Sequence, residues 1–335
     1  MPLMSKTLEN TGLVRMLCYG APLTRKTWWA LRAAEEGFNV IHCDIDGGHH
    51  IAANLSPEAQ SRIYHLDMRA PVDSYDNSGV HVLAHAMHGN AAIFDETDRK
   101  YVPVSKLEQE RTYTKIDLTK LDEWDILVID SWSALVAVLT ESSNKVLNPT
   151  TVPKLEWDNY GSVRLVLDHF ISGIKRLNCH VIVVGHSETF AKRKPDADPK
   201  GKPHETIDQI RLQPASISRN HGETLARNFT DTLFFDLPNS TVGVYIDTRG
   251  SSDFDAGSRR LAPKRYKWED VSFSEFVPRE SRPIGNASFT SKGIISGTGA
   301  ELAPAKQSAT INAGGSAGGT AAKPSPILNR LSGKS

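Results

Sequence analysis

An apolar segment that ends in a glycine and is followed six residues later by a Lys-Thr pair constrains this chain more than any other feature. Residues 13–19 predict a buried strand, and residues 26–36 carry apolar side chains at helical spacing, so residues 20–27 form a turn from strand to helix. Backbone N–H groups at the start of a helix lack intrahelical partners, and the helix dipole adds about half a positive charge there. The sequence therefore predicts a phosphate-binding loop within an α/β fold.

The candidate nucleotide-binding residues are the eight residues of this loop, Gly20, Ala21, Pro22, Leu23, Thr24, Arg25, Lys26 and Thr27. The Lys26 ammonium is expected to reach the β- and γ-phosphates of a nucleoside triphosphate, and the Thr27 hydroxyl to bind Mg²⁺. Phosphate loops usually have glycine immediately before the lysine, whereas this chain has Arg25, and Leu23 also stands where many such loops have glycine. Arg25 either distorts the loop or adds a second cation to it.

A second motif lies about a hundred residues further on. Residues 124–131 form an apolar run that ends in an acid, which predicts a central parallel strand with Asp130 at its C-terminal edge. In phosphate-loop ATPases such a carboxylate holds Mg²⁺ through water. The alternative is that Asp130 only caps the following helix. The order and separation of the two motifs favour nucleotide binding, with Thr27 and Asp130 as the metal-binding residues.

The composition is that of an ordinary globular protein, with 335 residues, 39% of them hydrophobic and 23% charged. The sequence has no run of about eighteen apolar residues and no apolar core of a secretory signal at its N-terminus, so we expect no membrane association. Cys18, Cys43 and Cys179 fall on predicted interior strands without metal-binding spacing. They predict reduced core thiols and a reducing compartment, the cytoplasm.

Strands and helices alternate along the first 190 residues, which predicts a mostly parallel sheet covered on both faces. Further strands are expected at residues 38–44, 61–66 and 179–186, and a long amphipathic helix at residues 157–177. Shorter strands joined by Gly, Asn and Ser turns predict an antiparallel extension of the same sheet, at residues 232–235, 242–247 and 265–268. We expect one α/β domain over residues 1–285.

Residues 286–335 are rich in Gly, Ala, Ser and Pro, which predicts a disordered tail because such a segment buries little apolar surface. Residues 281–335 contain six basic residues and one acidic residue, a net charge of +5, so residues 1–280 carry −5. Residues 324–331 regain apolar character and either dock a partner or have no role.

On the phosphate loop, residues 126–131, Tyr160-Gly161 and residues 181–186, the chain resembles RecA-like P-loop ATPases. In particular, it resembles the phage-encoded RecA-related ATPases of single-strand annealing and recombination, from about Leu13 to Val277. The resemblance implies a RecA-like core that binds ATP and Mg²⁺, hydrolyses ATP, and assembles into a homo-oligomeric ring or filament on single-stranded DNA. It further implies the host cytoplasm as location, and a single-strand-binding or other replication protein as a partner for the tail.

The resemblance also implies catalytic roles. Asp46 matches the acid that orients the attacking water, with Asp44 as a competitor. His186 matches the polar residue that senses the γ-phosphate, and Lys26 completes the catalytic set. The alternative for His186 is a strand-end histidine bonded to a neighbouring loop, while His49 and His50 are expected at the rim of the nucleotide site.

RecA-like proteins contact single-stranded DNA through two loops, which would lie here within residues 140–155 and immediately after His186. The second is predicted to be a mobile basic segment that neutralises phosphates without sequence preference, through Lys192, Arg193, Lys194, Lys200 and Lys202. The alternative is a solvated loop whose charges are partly offset by Asp196 and Asp198.

RecA-like assemblies also project cations into the nucleotide of the neighbouring subunit. The resemblance makes Arg249, Lys264 and Arg265 the candidates, and the alternative is surface charge at strand ends. Two other functions stay open, a non-hydrolysing nucleotide- or DNA-binding scaffold and a helicase-loader-like remodelling ATPase.

Three histidines, His81, His85 and His88, recur at helical spacing and share one face. Because no cysteine or His-Glu-x-x-His pattern is nearby, we expect a polar helix flank here and not a zinc site.

Overall fold

The computed structural model describes residues 12–69, 78–147, 157–197, 203–238, 243–279, 282–283 and 293–303. The strands are β1 (Arg15–Gly20), β2 (Asn39–Asp44), β3 (Ile63–Asp67), β4 (Ala92–Asp95), β5 (Lys100–Tyr101), β6 (Thr112–Ile116), β7 (Asp125–Asp130), β8 (His180–Ala197), β9 (Pro203–Pro214), β10 (Asp231–Asp236), β11 (Tyr245–Asp247), β12 (Arg265–Lys267) and β13 (Ile294–Thr298). The α-helices are α1 (Lys26–Leu31), α2 (Pro57–Gln60), α3 (Gly79–Met87), α4 (Trp132–Leu147), α5 (Trp157–Arg176), α6 (Arg219–Leu225) and α7 (Gly299–Leu302).

The large sheet has the strand order β12-β11-β10-β1-β8-β7-β2-β3, with β9 paired to the distal part of β8. The six strands from β10 to β3 run parallel to their neighbours, and β11 and β12 continue the sheet antiparallel. β1 and β7 are buried along their whole length, as expected of parallel strands covered on both faces. The prediction of an α/β fold with a mostly parallel sheet and an antiparallel extension is confirmed.

Hydrophobic cores cover both faces of the large sheet. On one face, Trp29 of α1 packs with Met16 and Cys18 of β1. On the other face, Leu135 of α4 and Phe170 of α5 pack in a second core. Residues of one strand alternate between the two faces, because successive side chains of a strand point to opposite sides. The helices that follow β1 and β7 therefore leave toward opposite faces of the sheet.

A second, antiparallel sheet was not predicted. Its strand order is β13-β6-β4-β5. Ile294 of β13 pairs with Ile116 of β6, and both side chains are buried in the core that also contains α4 and α5. The prediction of a disordered tail from residue 286 is therefore wrong for residues 294–302, which form strand β13 of this sheet and the short helix α7 after it.

Several element boundaries differ from the prediction. The helix expected over residues 26–36 is α-helical only to Leu31 and continues as a 3-10 helix, Arg32–Glu36. The expected polar flank with three histidines is wrong for His81, which is buried like most of α3, whereas His85 is partly exposed and His88, just past the helix, is exposed. The thiols of Cys18, Cys43 and Cys179 are free and buried, as predicted. Among the described residues, no helix combines the length and apolar character needed to cross a membrane.

Candidate functional site

The C-terminal ends of the central strands bring the predicted site residues to one edge of the sheet. Gly20 pairs in register with His186 across β1 and β8, and Asp130 pairs with Asp44 across β7 and β2. α1 and α4, which follow β1 and β7, pack on opposite faces of the sheet. In open α/β sheets, ligands bind outside the carboxyl ends of the strands.

The loop after β1 wraps around the Lys26 side chain. The Lys26 Nζ atom donates hydrogen bonds to the backbone oxygens of Gly20 at 3.1 Å and Ala21 at 2.7 Å, and lies 3.1 Å from Thr24 Oγ1. Only 5% of Lys26 is exposed. Burial lowers the pKa of its ammonium group to about 8, although the carboxylates of Asp130 and Asp46 act in the opposite direction. This cation is therefore held inside the loop by oxygen atoms that phosphate oxygens can replace.

The two predicted metal-binding residues contact each other. Thr27 Oγ1 donates a 2.7 Å hydrogen bond to Asp130 Oδ2. The same carboxylate oxygen lies 3.3 Å from Nε2 of the buried His42. The backbone oxygen of Asp130 accepts hydrogen bonds from the N–H groups of Ile45 and Asp46 at 2.5 and 3.2 Å. The Asp130 side chain is thus directed toward Thr27 of α1 and toward His42. These contacts differ from those of a residue that only caps the following helix, α4.

Arg25 and Leu23 adopt left-handed backbone conformations, each with φ of 63°. Glycine is the residue normally favoured there, which explains the glycines of the usual loop pattern. The Arg25 guanidinium lies 5.1 Å from the ring centroid of Trp268, and Leu23 is 92% exposed. The loop therefore keeps a glycine-like backbone path without glycine, and the Arg25 charge rests on an indole ring.

Asp46 and His186 form a pair at the same edge of the sheet. His186 Nε2 lies 3.4 Å from Asp46 Oδ2. Burial would raise the pKa of the Asp46 carboxyl, but hydrogen bonds with His186 and Ser131 outweigh it and lower the pKa below the ordinary value. The two residues assigned to water activation and γ-phosphate sensing are adjacent, and His186 bonds to a neighbouring loop as its alternative interpretation expected.

Asp44, the competitor of Asp46, is fully buried and its carboxylate is already occupied. It accepts backbone hydrogen bonds from Gly47 at 2.6 Å, Gly48 at 2.9 Å and His49 at 3.0 Å, and His65 Nε2 lies 3.2 Å away. Burial would raise its pKa, but the His65 hydrogen bond and the other partners hold it well below the usual range. Asp46 is therefore the more accessible carboxylate for a water molecule.

The expected mobile basic loop after His186 is instead a β-hairpin. β8 continues beyond the large sheet and pairs antiparallel with β9 from Ser187 opposite Pro214 to Ala197 opposite Pro203. Lys192, Arg193 and Lys194 lie on this arm, and the register shifts between Lys192 and Arg193. Lys200 and Lys202 lie outside the described residues. The first expected DNA-binding loop is helical as far as Leu147, and the rest of it also lies outside them.

The three candidates for a cation acting in trans all have partners within the chain. Arg249 pairs with Asp247 at 3.0 Å, and Lys264 Nζ lies 4.5 Å from the Tyr266 ring centroid. Arg265 pairs with Asp236 and stacks over Tyr245. Each would have to exchange an internal contact to reach another subunit.

Sequence reasoning missed two groups around this site. His42 and His65, on β2 and β3, lie beside the carboxylates of Asp130 and Asp44, although a histidine inside a buried strand gives no local signal of such a role. Trp268, which contacts Arg25, is far from it in sequence and adjoins β12.

Comparisons with protein-family models and with curated proteins found no match.

Proposed function

We propose that this protein is a RecA-like P-loop ATPase that binds ATP and Mg²⁺, hydrolyses ATP, and acts on single-stranded DNA in phage recombination or replication. The observation that carries the proposal is the 2.7 Å contact between Thr27 and Asp130, beside a loop that encloses Lys26. The two sequence motifs are separated by a hundred residues and by the intervening strand β8, yet they meet at one point.

The donor atoms at this point suit the proposed ligands. A threonine hydroxyl and a carboxylate are hard oxygen donors of the kind that Mg²⁺ prefers. Bound Mg²⁺ would neutralise charge on the phosphates. Lys26 would exchange its hydrogen bonds to the loop oxygens for bonds to phosphate oxygens, and Thr27 and Asp130 would hold the metal. Asp46 accepts a hydrogen bond from the attacking water, and His186, its partner at 3.4 Å, links that carboxylate to the end of β8.

The DNA-binding part of the proposal rests on the hairpin arm that extends β8. Its basic residues include Lys192, Arg193 and Lys194, which can neutralise phosphates without reading sequence. Because β8 carries both His186 and this arm, a change at the nucleotide site is adjacent to the DNA-binding segment. A homo-oligomer, ring or filament, would allow Arg249, Lys264 or Arg265 to reach a neighbouring site.

A second candidate function is a non-hydrolysing scaffold that binds DNA. The observation in its favour is that Lys26 is already satisfied by the loop, while the Arg25 guanidinium lies on Trp268. Such a loop needs no nucleotide for its own stability.

The deciding experiment measures ATP hydrolysis with and without single-stranded DNA for the wild type, Lys26→Ala and Thr27→Val. Lys115→Ala, a lysine substitution on the small sheet, is the matched control. The proposal expects DNA-stimulated turnover in the wild type and the control, and a loss of at least about tenfold in both site variants. No turnover in any of them, with DNA binding that is indifferent to ATP, would leave the scaffold.

A further inference from the structure

A cluster of one carboxylate and two imidazoles lies next to the proposed nucleotide site and takes no part in its proposed chemistry. It consists of Asp44 at the end of β2, His49 at the start of the 3-10 helix that follows (His49–Asn54), and His65 on β3. One potential ligand atom from each residue lies within 4.8 Å of the other two. The cluster brings together two strands and a 3-10 helix, so it is a product of the fold and not of one local sequence pattern.

The spacing of these atoms suits a small metal ion. Asp44 Oδ2 lies 3.2 Å from His65 Nε2 and 3.6 Å from His49 Nδ1. A tetrahedral ion with bonds of about 2.0–2.1 Å separates its ligand atoms by about 3.3 Å. Two of the three separations therefore fall near the tetrahedral value, and the His49 imidazole, half exposed, can turn to adjust the third.

The carboxylate is held as metal-binding carboxylates usually are, by hydrogen bonds from groups behind it. The backbone N–H groups of Gly47 and Gly48 both donate to Asp44 Oδ1, while Oδ2 accepts a hydrogen bond from the His49 backbone N–H at 3.0 Å and also faces the two imidazoles. Gly47 has φ of 87°, a left-handed conformation in which a side chain is strained, so the turn that supplies these donors favours glycine.

We propose that Asp44, His49 and His65 form a binding site for a divalent transition-metal ion, Zn²⁺ by ligand type, with a fourth position open to solvent. Two imidazoles and one carboxylate are ligands typical of zinc sites with an exchangeable position, whereas Mg²⁺ prefers oxygen donors. On binding, His65 gives up its hydrogen bond to Asp44, and its neutral ring carries the proton on Nδ1 while Nε2 bonds to the metal.

The site would link β3 to the loop that packs on the nucleotide site. A Cβ atom placed on Gly48 would lie 3.4 Å from Asp130 Oδ2 and 3.6 Å from a methyl carbon of Thr27, so this loop is in direct contact with the proposed Mg²⁺ ligands. A metal bound through His49 therefore fixes the segment that also carries Asp46. The inference itself depends only on the ligand cluster and not on ATP hydrolysis.

The test uses the full chain without a polyhistidine tag, stripped of metal with a chelator and dialysed. Equilibrium dialysis against Zn²⁺ should give one ion per chain, and Co²⁺ should give the strong visible absorption of a four-coordinate site. His49→Ala and His65→Ala should weaken binding by at least about tenfold. His50→Ala, an exposed neighbour outside the cluster, should bind as the wild type does.

The inference is overturned if the wild type binds less than one ion per chain, if Co²⁺ gives only the pale spectrum of an octahedral aqua ion, or if His49→Ala binds as well as the wild type. His49 is half exposed, so its replacement is expected to leave the fold intact, which circular dichroism checks. Lys26→Ala should retain the metal, and thus a failure of the ATPase proposal is distinguishable from a failure of this one.

Discussion

Replacing Arg25 with glycine separates the two roles that the sequence allows for this residue, a distortion of the phosphate loop or a second cation within it. The structure places the guanidinium on Trp268, 5.1 Å from the ring centroid, and the backbone in a left-handed conformation. Because the guanidinium contacts Trp268, we expect Arg25→Gly to leave ATP affinity within about threefold of the wild type. If Arg25 instead bound a phosphate, losing that contact would cost about 1.5–3 kcal/mol.

The effect on stability follows from three local contributions. A left-handed conformation costs a residue with a side chain about 1–2 kcal/mol, which glycine recovers. Glycine loses about 0.5–1 kcal/mol through the greater freedom of the unfolded chain, and the cation–π contact with Trp268 contributes about 0.5–1 kcal/mol at an exposed site. These contributions nearly cancel, so the free energy of unfolding of Arg25→Gly should stay within about 0.5 kcal/mol of the wild type.

Two further variants isolate the contributions. Arg25→Ala keeps the backbone cost and loses the contact, so it should be destabilised by about 0.5–1 kcal/mol. Leu23→Gly recovers the backbone cost at a position that is 92% exposed, and it should be stabilised by about 0.5 kcal/mol. Urea unfolding with and without Mg²⁺ and ATP measures both stability and binding, because a ligand stabilises the folded state according to its concentration and affinity.

The reasoning is refuted if both Arg25→Gly and Arg25→Ala weaken ATP binding by more than about tenfold, which would make Arg25 a phosphate ligand. It is also refuted if glycine and alanine at this position give the same stability, since the left-handed conformation would then have no measurable cost.

Three other outcomes are expected. Burial lowers the pKa of Lys26 to about 8, so the free protein loses this positive charge as pH rises, and ATP affinity should fall about eightfold between pH 7.5 and 9. Lys26→Arg stays charged and should show no such fall. An ATP affinity of the wild type that does not change over this range would contradict the lowered pKa of Lys26. Trp29→Ala removes a fully buried indole that donates a 2.8 Å hydrogen bond to the Val271 oxygen, so urea unfolding should show a loss of about 3–5 kcal/mol, and a loss under about 1 kcal/mol would be inconsistent with this packing. Alanine at Lys192, Arg193 and Lys194 removes three positive charges from the hairpin arm and should reduce the slope of log affinity for single-stranded DNA against log salt by about 2. The double alanine variant of the exposed Arg259 and Arg260 should leave the slope unchanged. An equal reduction in both variants would indicate an effect of overall charge and not of the arm.

The parts of the site that the sequence predicted are those with a local signature. The strand before Gly20, the helix that starts at Lys26 and the acid at the end of β7 each follow from short patterns of apolar and polar residues. The contact between Thr27 and Asp130 follows from strand order, because β7 and β1 end at the same edge of the sheet.

The parts that the sequence did not predict depend on pairings between distant residues. β13 lies in a segment that resembles a disordered tail by composition, and only its pairing with β6, about 180 residues earlier, gives it a structure. The hairpin arm was also missed, because its charged residues and Pro195 obscure the alternation of a strand. The contact of Arg25 with Trp268 was missed as well, because the two residues lie 243 positions apart in the sequence.

The extension of β8 beyond the large sheet has a consequence for how this protein can be observed. A ribbon of two strands is at best marginally stable in water, so amide hydrogens between Ser187 and Ala197 should exchange faster than those of the same strand from His180 to His186. Within β8, the slowly exchanging amides of residues 180–186 thus serve as an internal reference for the faster exchange of residues 187–197. Slowing of exchange confined to the distal half would reveal which molecule the arm binds, before any reaction of that molecule is known.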